Sequence, residues 1–453
     1  MNLSEVKMNQ ELISHDGPGH RWLAERQVAG VKLGLERVKN LLKRMGDPQD
    51  TPAVAIVAGT NGKGSTSAML AALCDEAGLQ VGHFTSPHLV ETRERYRVNG
   101  RCISAEQLDA ALVHVRDCAG SDLAVTPFEV MAAAAYWLFR DLDLAVMEVG
   151  LGGRLDATNV TDPIVAVITQ IARDHTRVLG DTLAAIAQEK VAVARQGRPV
   201  VMAHPTVTLA ALRRIGLTCP VRKVGKDVQV QDVRIGGAGL GTQAVLRGRA
   251  LSEPLQIELS LPGRHQLNNA AAAVLAYQEI CAAWPKALPD AVEVVWRLAE
   301  VPWPARLEVI ETSPMMIVDG AHNTAGMRAL AETMAERGKR WQVVLSVRDN
   351  RDPEPLIREL SAVSEGFWLP RMQADRMWDP HKLAEVIDLC APHADVAVGS
   401  AQGCFEEARR QAHRSCGVVV TGSLYGIGEW LGRGEIVSPR LRRWLDGQAP
   451  QDQ

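Results

Sequence analysis

A glycine-rich run between an apolar strand and a helix is the feature that most constrains this chain. Ala53–Ala58 is apolar and rich in Val and Ile, which predicts a buried strand. The run Gly59-Thr60-Asn61-Gly62-Lys63-Gly64-Ser65-Thr66 follows at once, and residues 65–77 have the apolar positions of a helix. Glycines let the backbone approach a phosphate, while the helix N-terminus and Lys63 add positive charge. The order strand, loop, helix therefore predicts a triphosphate-binding loop.

The run differs from the standard phosphate-loop pattern G-x-x-x-x-G-K-[ST] in two places. Val57 stands where the first glycine would lie, and Gly64 separates Lys63 from Ser65. A tight turn with an exposed lysine would explain a lone Gly-Lys pair. Three glycines and a lysine within eight residues favour phosphate binding instead.

Short apolar runs alternate with helical segments along most of the chain, which is typical of an α/β doubly wound sheet. Residues 226–258 break this rhythm with short alternating pieces and glycines, so they predict a small antiparallel β excursion from a mostly parallel domain. Beyond it the alternation resumes and predicts a smaller Rossmann-like α/β domain. Predicted strands occupy residues 144–149, 165–171, 199–202, Met315–Val318, 341–347 and 417–421, and predicted helices occupy residues 183–194, 267–283 and 324–336.

The length of 453 residues exceeds that of one typical domain, about 100–200 residues. Val301-Pro302-Trp303-Pro304 is the best linker candidate, because two prolines so close together stop a helix and stiffen the chain. We therefore expect an ATP-binding domain over residues 1–301 and a second domain over residues 302–453.

Composition limits the partners that we expect. The net charge of −3, with acids and bases mixed along the chain, indicates no nucleic-acid partner. Eight cysteines without a C-x-x-C pair or zinc-ligand spacing favour free thiols in a reducing compartment. Residues 1–16 have no apolar signal core, and the longest apolar run, residues 130–139, is short of the roughly 20 residues that span a bilayer. These features predict a cytoplasmic protein without a membrane partner.

A series of further motifs follows in a fixed order over nearly the whole chain. They are residues 33–38, 85–89, Glu94-Arg95, Asn99-Gly100, Phe128-Glu129, residues 148–159, 174–176, Glu189-Lys190, residues 265–270, Arg306, residues 319–323 and residues 422–425. With the phosphate loop, this series resembles the folylpolyglutamate synthase/dihydrofolate synthase family of the Mur ligase superfamily. The resemblance implies an ATP-dependent amide ligase that adds L-glutamate to dihydropteroate or to folates through an acyl phosphate, releasing ADP and phosphate.

The resemblance also implies a metal centre. Mg²⁺ is a hard cation that prefers oxygen ligands, and the family pattern assigns it to Ser86 and Glu148, with His175 at a second metal position. In the family, the lysine at the place of Lys190 is carbamylated by CO₂. A lysine of lowered pKa can react as the free amine, and the product is an anion that assists metal binding.

The remaining roles also rest on the resemblance. Asn269 and Arg306 match the residues that contact adenine and phosphate, while Asp319 and His322 approach the nucleotide from the second domain. The expected catalytic residues are Lys63, His175, Lys190, Asp319 and His322, and the expected substrate-binding residues are Phe128, Asp156 and His322.

Two other functions stay open at this point: a Mur-superfamily ligase acting on a different carboxylate, and a nucleotide-binding module without catalysis. Residues 347–352 stand where the family commonly has an Asp-Lys-Asp-like turn. Aromatic residues that could stack on a pterin are few, and Phe128 is the best candidate, although a core position would equally explain it. We expect a monomer that binds only small-molecule substrates.

Overall fold

The computed structural model describes residues 17–26, 34–236, 241–337, 340–374, 376–412 and 416–446. Sequence expectations for residues 1–16, for Leu33, for the glycine-rich residues 237–240 and for residues 447–453 lie outside the described residues.

The first half of the chain is built on a doubly wound sheet. Its strands are β1 (Ala53–Ala58), β2 (Val81–Phe84), β3 (Tyr96–Val98), β4 (Arg101–Cys102), β5 (Leu144–Glu148), β6 (Val165–Ile168), β7 (Val200–Met202) and β8 (Val221–Lys223). Within the described ranges, they lie in the order β4-β3-β2-β5-β1-β6-β7-β8. Pairing is parallel from β2 to β8, and β3 and β4 extend one edge in antiparallel fashion.

Helices cover both faces of this sheet, which explains why β5, β6 and β7 are buried along their full length. The helices are α1 (Pro18–Glu25), α2 (Glu36–Arg44), α3 (Lys63–Glu76), α4 (Ala105–Ala119), α5 (Pro127–Phe139), α6 (Thr176–Leu179), α7 (Leu183–Val191), α8 (Pro205–Arg214), α9 (Arg264–Ala283) and α10 (Ala291–Val294). One core joins α3 and α9 to the sheet, and another joins α2, α4 and α5 to the opposite face. Helix α3 begins two residues earlier than the sequence predicts, so Lys63 lies in its first turn.

The β excursion that the sequence predicts is a separate antiparallel sheet, β9 (Gln229–Ile235), β10 (Thr242–Arg247) and β11 (Leu255–Leu259), in the order β11-β10-β9. The alternating burial of β11 turns Leu255, Ile257 and Leu259 towards the core, as expected for a sheet with one solvated face.

The second α/β unit is confirmed as a mostly parallel sheet. Its strands are β12 (Glu308–Thr312), β13 (Met315–Val318), β14 (Arg340–Leu345), β15 (Ser364–Pro370), β16 (Asp395–Gly399) and β17 (Cys416–Thr421), and its helices are α11 (Thr324–Ala335), α12 (Glu354–Ser361), α13 (Pro380–Cys390), α14 (Ala401–Gln411) and α15 (Leu424–Gly432). The described strands lie in the order β12-β13-β17-β14-β15-β16, with β12 alone antiparallel to its neighbour.

The linker between the two α/β units is buried. Trp303 is 7% exposed, and its ring leaves no room for a Cβ atom on Gly64 of the phosphate loop, which would lie 2.4 Å away. The last helix, α16 (Pro439–Asp446), returns to the first sheet, where Trp444 meets Trp303 edge to face at 4.7 Å between ring centroids. The guanidinium of Arg97 lies 3.7 Å above the Trp444 ring. The linker is therefore held between the phosphate-loop helix and the C-terminal helix.

In the parts of the chain that the structure describes, no helix combines the length and the apolar character needed to cross a membrane. The division at residue 301 stays a prediction.

We predict that Trp444→Ala lowers the free energy of unfolding by about 3–5 kcal/mol, because it empties a buried aromatic site. Urea unfolding followed by intrinsic fluorescence and circular dichroism measures the change. Trp296→Ala is the matched control: that ring is 50% exposed, so the expected change is within about 0.5 kcal/mol. Equal shifts of the midpoint in both variants would contradict the proposed anchoring.

Candidate active site

A cavity of about 820 Å³ opens at the carboxyl ends of the first sheet's parallel strands, where doubly wound sheets bind ligands. The second α/β unit supplies its opposite wall. The predicted site residues on its surface are residues 59–65, Ser86, Phe128, Glu148, Asp156, His175, Lys190, Asn269, Arg306, Asp319 and His322. Thr66 is not among the lining residues; it is fully buried in helix α3. The fold thus brings together residues that are up to 263 positions apart in the sequence (322 − 59).

The phosphate loop has a backbone shape that glycine alone adopts readily. Gly62 precedes helix α3 with φ of 87°, and a Cβ atom there would lie 2.4 Å from Oδ1 of Asn269. The backbone N–H of Thr60 donates to the carbonyl of Gln170 at 2.7 Å. Nζ of Lys63 donates to the carbonyl of Thr60 at 3.2 Å, within the loop itself. Helix α3 therefore presents its N-terminus and a lysine to the cavity, an arrangement that suits a bound anion.

Glu148 lies at the end of β5 and is 3% exposed. Its Oε2 accepts hydrogen bonds from the backbone N–H of Ser86, at 3.0 Å, and from the Thr85 hydroxyl. Burial raises the pKa of Glu148, and the charge of Lys63 opposes that rise. Among the described residues, no group of three or more His, Cys, Asp or Glu side chains is arranged to hold a metal. The oxygens of Glu148 and Ser86 suit Mg²⁺, which keeps several waters and binds phosphates alongside a few protein ligands.

Lys190 is buried beneath the phosphate loop. Its Nζ donates to the carbonyl of Gly59 at 2.6 Å, and the residue is 4% exposed. Burial, with a smaller contribution from the nearby charge of Lys63, lowers the pKa of Lys190 to about 7. A large fraction of this amine is therefore neutral near pH 7, which is the form that reacts with CO₂. An unmodified ammonium does not fit the role of a metal ligand, because it repels a cation.

Asp174 is the polar centre of contact between the two α/β units. Its carboxylate accepts from Nδ2 of Asn323 at 3.0 Å and pairs with Arg351, both from the second unit. Nε2 of His322 lies 3.6 Å away, and the backbone N–H of His175 donates at 2.6 Å. Burial alone would raise the pKa of Asp174, but the neighbouring His322, His175 and Arg351 hold it well below its ordinary value. Asp174 is thus an anion near pH 7.

A second contact joins the phosphate loop itself to the second unit. Asn61 and Asn323 exchange side-chain hydrogen bonds, at 2.8 and 3.2 Å. Within the second unit, the carboxylate of Asp319 accepts hydrogen bonds from the backbone N–H groups of Leu307 and Ala321, at 2.9 and 2.8 Å. Asp319 therefore orders two loops at the cavity wall.

The surroundings of three further predicted site residues, Asp156, Asn269 and His175, are mainly local. The carboxylate of Asp156 accepts from the backbone of Leu151 at 2.8 Å and from the backbone and hydroxyl of Thr158 at 3.0 and 2.6 Å, so it orders its own loop. Nδ2 of Asn269 donates to Gln266 at 2.9 Å. Burial lowers the pKa of His175 to about 4, which leaves a neutral imidazole that could bind a metal.

Several charged residues of the cavity wall carry no functional assignment from the sequence. Arg95, Arg348 and Arg351 line the cavity, and Arg351 reaches Asp174. Arg348 and Arg351 belong to residues 347–352, the segment that departs from the Asp-Lys-Asp-like turn. For these two arginines that departure was the available signal, since single arginines in loops follow no periodic pattern, whereas Arg95 belongs to the Glu94-Arg95 motif of the ordered series.

Two family models match this chain: the Mur ligase middle domain over residues 57–277 and the Mur ligase, glutamate ligase domain over residues 305–424. Both are domains of Mur ligases, and the matched residues fall in the two α/β units that form the cavity walls. A Bacillus subtilis dihydrofolate synthase/folylpolyglutamate synthase is 32% identical over 90% of this chain and 96% of its own length. The chain belongs to the dihydrofolate synthase/folylpolyglutamate synthase family.

Other relatives are longer. A probable bifunctional folylpolyglutamate synthase/dihydropteroate synthase of Haloferax volcanii is 33% identical over 92% of this chain. The chain spans about half the length of that relative and of the corresponding Halobacterium salinarum protein, 50% in each case.

Solved structures show the same fold. Mycobacterium tuberculosis folylpolyglutamate synthase, complexed with ADP and AMPPCP, matches with a TM-score of 0.81 at 30% identity, covering 95% of this chain and 98% of that one. Escherichia coli FolC in complex with DHPP and ADP matches with a TM-score of 0.80 at 27% identity, over 91% and 96% of the two chains. A bifunctional folylpolyglutamate synthase/dihydrofolate synthase with Mn, AMPPNP and L-glutamate bound matches with a TM-score of 0.77 at 28% identity, over 93% and 99%.

We predict that Gly62→Ala weakens binding of ADP and of a non-hydrolysable ATP analogue by at least about tenfold, or ~1.4 kcal/mol. The new methyl group would strain the loop and collide with Asn269. Isothermal titration calorimetry gives the affinities. Gly78→Ala is the control, because Gly78 has nearly the same φ, 86°, but a Cβ added there would meet nothing within 4 Å beyond its own chain neighbours. Similar losses of nucleotide affinity in both variants would argue against the phosphate-loop assignment.

Proposed function

We propose that this chain is an ATP-dependent ligase that joins the amine of L-glutamate to a carboxylate of dihydropteroate, of folates, or of both, through an acyl phosphate. The observation that carries the proposal is the split cavity, with a phosphate loop on one wall and the Asp319–Asn323 loop of a second α/β unit on the other. The family membership supports it. So do the related structures that contain DHPP with ADP, or L-glutamate with Mn and AMPPNP.

In this proposal, residues 1–301 bind ATP and residues 302–453 close the site. Residues 59–66, with Lys63, hold the triphosphate, while Asn269 and Arg306 contact adenine and phosphate. Arg306 suits this role, because it lines the cavity, where the charges of Asp319 and Glu148 oppose the lowering of its pKa by desolvation and so favour its charged form. Phe128 forms part of the wall against which the acceptor's rings pack. One chain supplies all of these groups, so we propose that it acts as a monomer.

Glu148 and Ser86 would hold Mg²⁺ from one side, and His175 would serve a second metal position. When bound, the metal neutralises charge on the phosphates. We further propose that CO₂ carbamylates Lys190. The neutral amine of Lys190 bonds to the carbon of CO₂ and loses one proton to solvent, so a carbamate anion stands beneath the phosphate loop. The anion removes the repulsion between Lys190 and Lys63 and would provide oxygen atoms for a metal.

A carboxylate does not acylate an amine directly, because its oxygen is a poor leaving group. In the proposed reaction, a carboxylate oxygen of the acceptor attacks the γ-phosphorus of ATP, and the bond to the β-phosphate oxygen breaks to release ADP. The protein's contribution is positioning and charge neutralisation, by Lys63 and Arg306. The glutamate amine then attacks the acyl carbon, loses a proton, and expels phosphate. Contacts of Asp174 with His322 and Asn323 hold the two walls together for both steps.

We predict that the purified protein releases ADP and phosphate only when ATP, L-glutamate and a pteroate or folate acceptor are all present. A coupled ADP assay with dihydropteroate, tetrahydrofolate and folate diglutamate separates the two activities. Omitting each substrate in turn provides the controls. Release with a UDP-sugar peptide but with no folate would favour a different Mur-type acceptor, and nucleotide binding without turnover would favour a non-catalytic module.

We predict a carbamate on Lys190. With ¹³C-labelled bicarbonate, the wild-type protein should show a carbamate carbon signal that Lys190→Ala lacks and that the exposed-lysine control Lys382→Ala retains. Because the pKa of Lys190 is lowered to about 7, its amine is neutral above that pH and protonated below it. The signal should therefore weaken as the pH falls through 7. An unmodified Lys190 at pH 8 in saturating bicarbonate would overturn the assignment.

A further inference from the structure

Arg95 is a buried arginine on the cavity wall. It is 8% exposed and ends the short 3₁₀ helix Thr92–Arg95, just before β3. Its Nε donates to Nδ1 of His88 at 2.9 Å. Among the described residues, its two terminal nitrogens have neither a hydrogen-bond acceptor nor a carboxylate within ion-pair distance, although the side chain lines the cavity.

The nearest acids are already occupied. The carboxylate of Glu94 accepts from the backbone N–H groups of Leu89, Val90 and Glu91, at 2.8, 2.7 and 2.6 Å. Oε2 of Glu148 is shared by Thr85 and Ser86. Unpaired donor nitrogens on a largely buried guanidinium are costly, so a fold that keeps them at a cavity wall keeps them for an anion.

A second arginine faces the same region from the other α/β unit. The guanidinium of Arg348 lies 4.4 Å from the centroid of the Tyr425 ring, and its buried Nε has no hydrogen-bond partner among the described residues. Helix α15, which carries Tyr425, packs against the loop before Arg95: a Cβ atom on Gly428 would lie 1.9 Å from the carbonyl oxygen of Leu89. Arg95 and Arg348 thus line the same cavity, one arginine from each unit.

We infer that Arg95 and Arg348 form a carboxylate-binding subsite that the two α/β units complete together. The guanidinium group is a planar fork of donors that matches a carboxylate in bidentate fashion. The triphosphate has its own cradle in the glycine-rich loop and Lys63, so a carboxylate of another substrate is the group left to bind here.

The inference rests on the proposed function, which brings into the cavity two kinds of carboxylate that do not react. One is the α-carboxylate of a glutamate already present on the acceptor, which dihydropteroate lacks. The other belongs to the incoming L-glutamate, which is needed with every acceptor. An arginine can bind either carboxylate in bidentate fashion. Kinetic measurements with the two acceptors distinguish which carboxylate is bound.

The experiment compares Arg95→Gln, Arg95→Lys and Arg348→Gln with the wild type. KM and kcat are measured for four substrate series. L-Glutamate is varied with dihydropteroate and then with tetrahydrofolate as the acceptor, and each acceptor is varied at saturating L-glutamate. We expect each Gln variant to raise one KM by at least about tenfold, with a kcat change below about threefold and unchanged affinity for ADP. Arg95→Lys should recover part of the loss, because it keeps the charge but not the fork. Arg358→Gln, which removes an exposed arginine of the second unit paired with Glu354, is the control.

The pattern of KM changes identifies the carboxylate. A rise for tetrahydrofolate but not for dihydropteroate assigns the subsite to the acceptor's α-carboxylate, and a rise for L-glutamate with both acceptors assigns it to the incoming amino acid. Unchanged KM values in a folded Arg348→Gln protein, or an equal loss of ADP affinity, would overturn the inference. Thermal unfolding shows whether each variant is folded; if Arg95→Gln is not, Arg348→Gln and Arg95→Lys decide the question. If the wild-type protein turns over no folate, the proposed function itself is wrong.

Discussion

The structure depends on a small set of polar contacts through which the second α/β unit reaches the phosphate loop. Asn61 and Asn323 exchange amide hydrogen bonds, and Asp174 gathers Asn323, His322 and Arg351. These contacts are local, and they add to a buried hydrophobic cluster that includes residues of both units, among them Val57 and Val318. They bring the walls of one cavity together at the place where the proposed reaction would join the γ-phosphate to the acceptor.

The second constraint is electrostatic. The cavity wall holds buried groups of both signs: the acidic Glu148 and Asp319, and the basic Lys190 and Arg95. In such surroundings, each charge acts more strongly than it would in water, and each uncompensated charge is more expensive. The lowered pKa of Lys190 and the raised pKa of Glu148 have this same origin. A triphosphate, a divalent cation and carboxylate substrates would supply the charges that balance them.

Much of this architecture follows from patterns that are local in sequence. The order strand, glycine-rich turn, helix predicted β1, the loop and α3, and the broken rhythm after residue 226 predicted the separate antiparallel sheet. The cavity lining at Glu148, Lys190 and Asp319 was expected only through the family resemblance. The short edge strands β3 and β4 and the return of Trp444 to the first sheet were not predicted, because edge pairing and long-range contacts leave no periodic signal. Arg95 belongs to the Glu94-Arg95 motif of the ordered series, but the motif assigned it no role, because the missing partner of its terminal nitrogens appears only in the three-dimensional structure.

The packing of Trp303 against Trp444 has a consequence for how the cavity can open. The chain enters the second unit at Trp303 and leaves it for α16, and both ends are anchored at one spot on the first sheet, beside the phosphate-loop helix. If the cavity opens, the second unit has to keep both of these adjacent attachments, so the Asp319–Asn323 loop would turn about that one place relative to the phosphate loop.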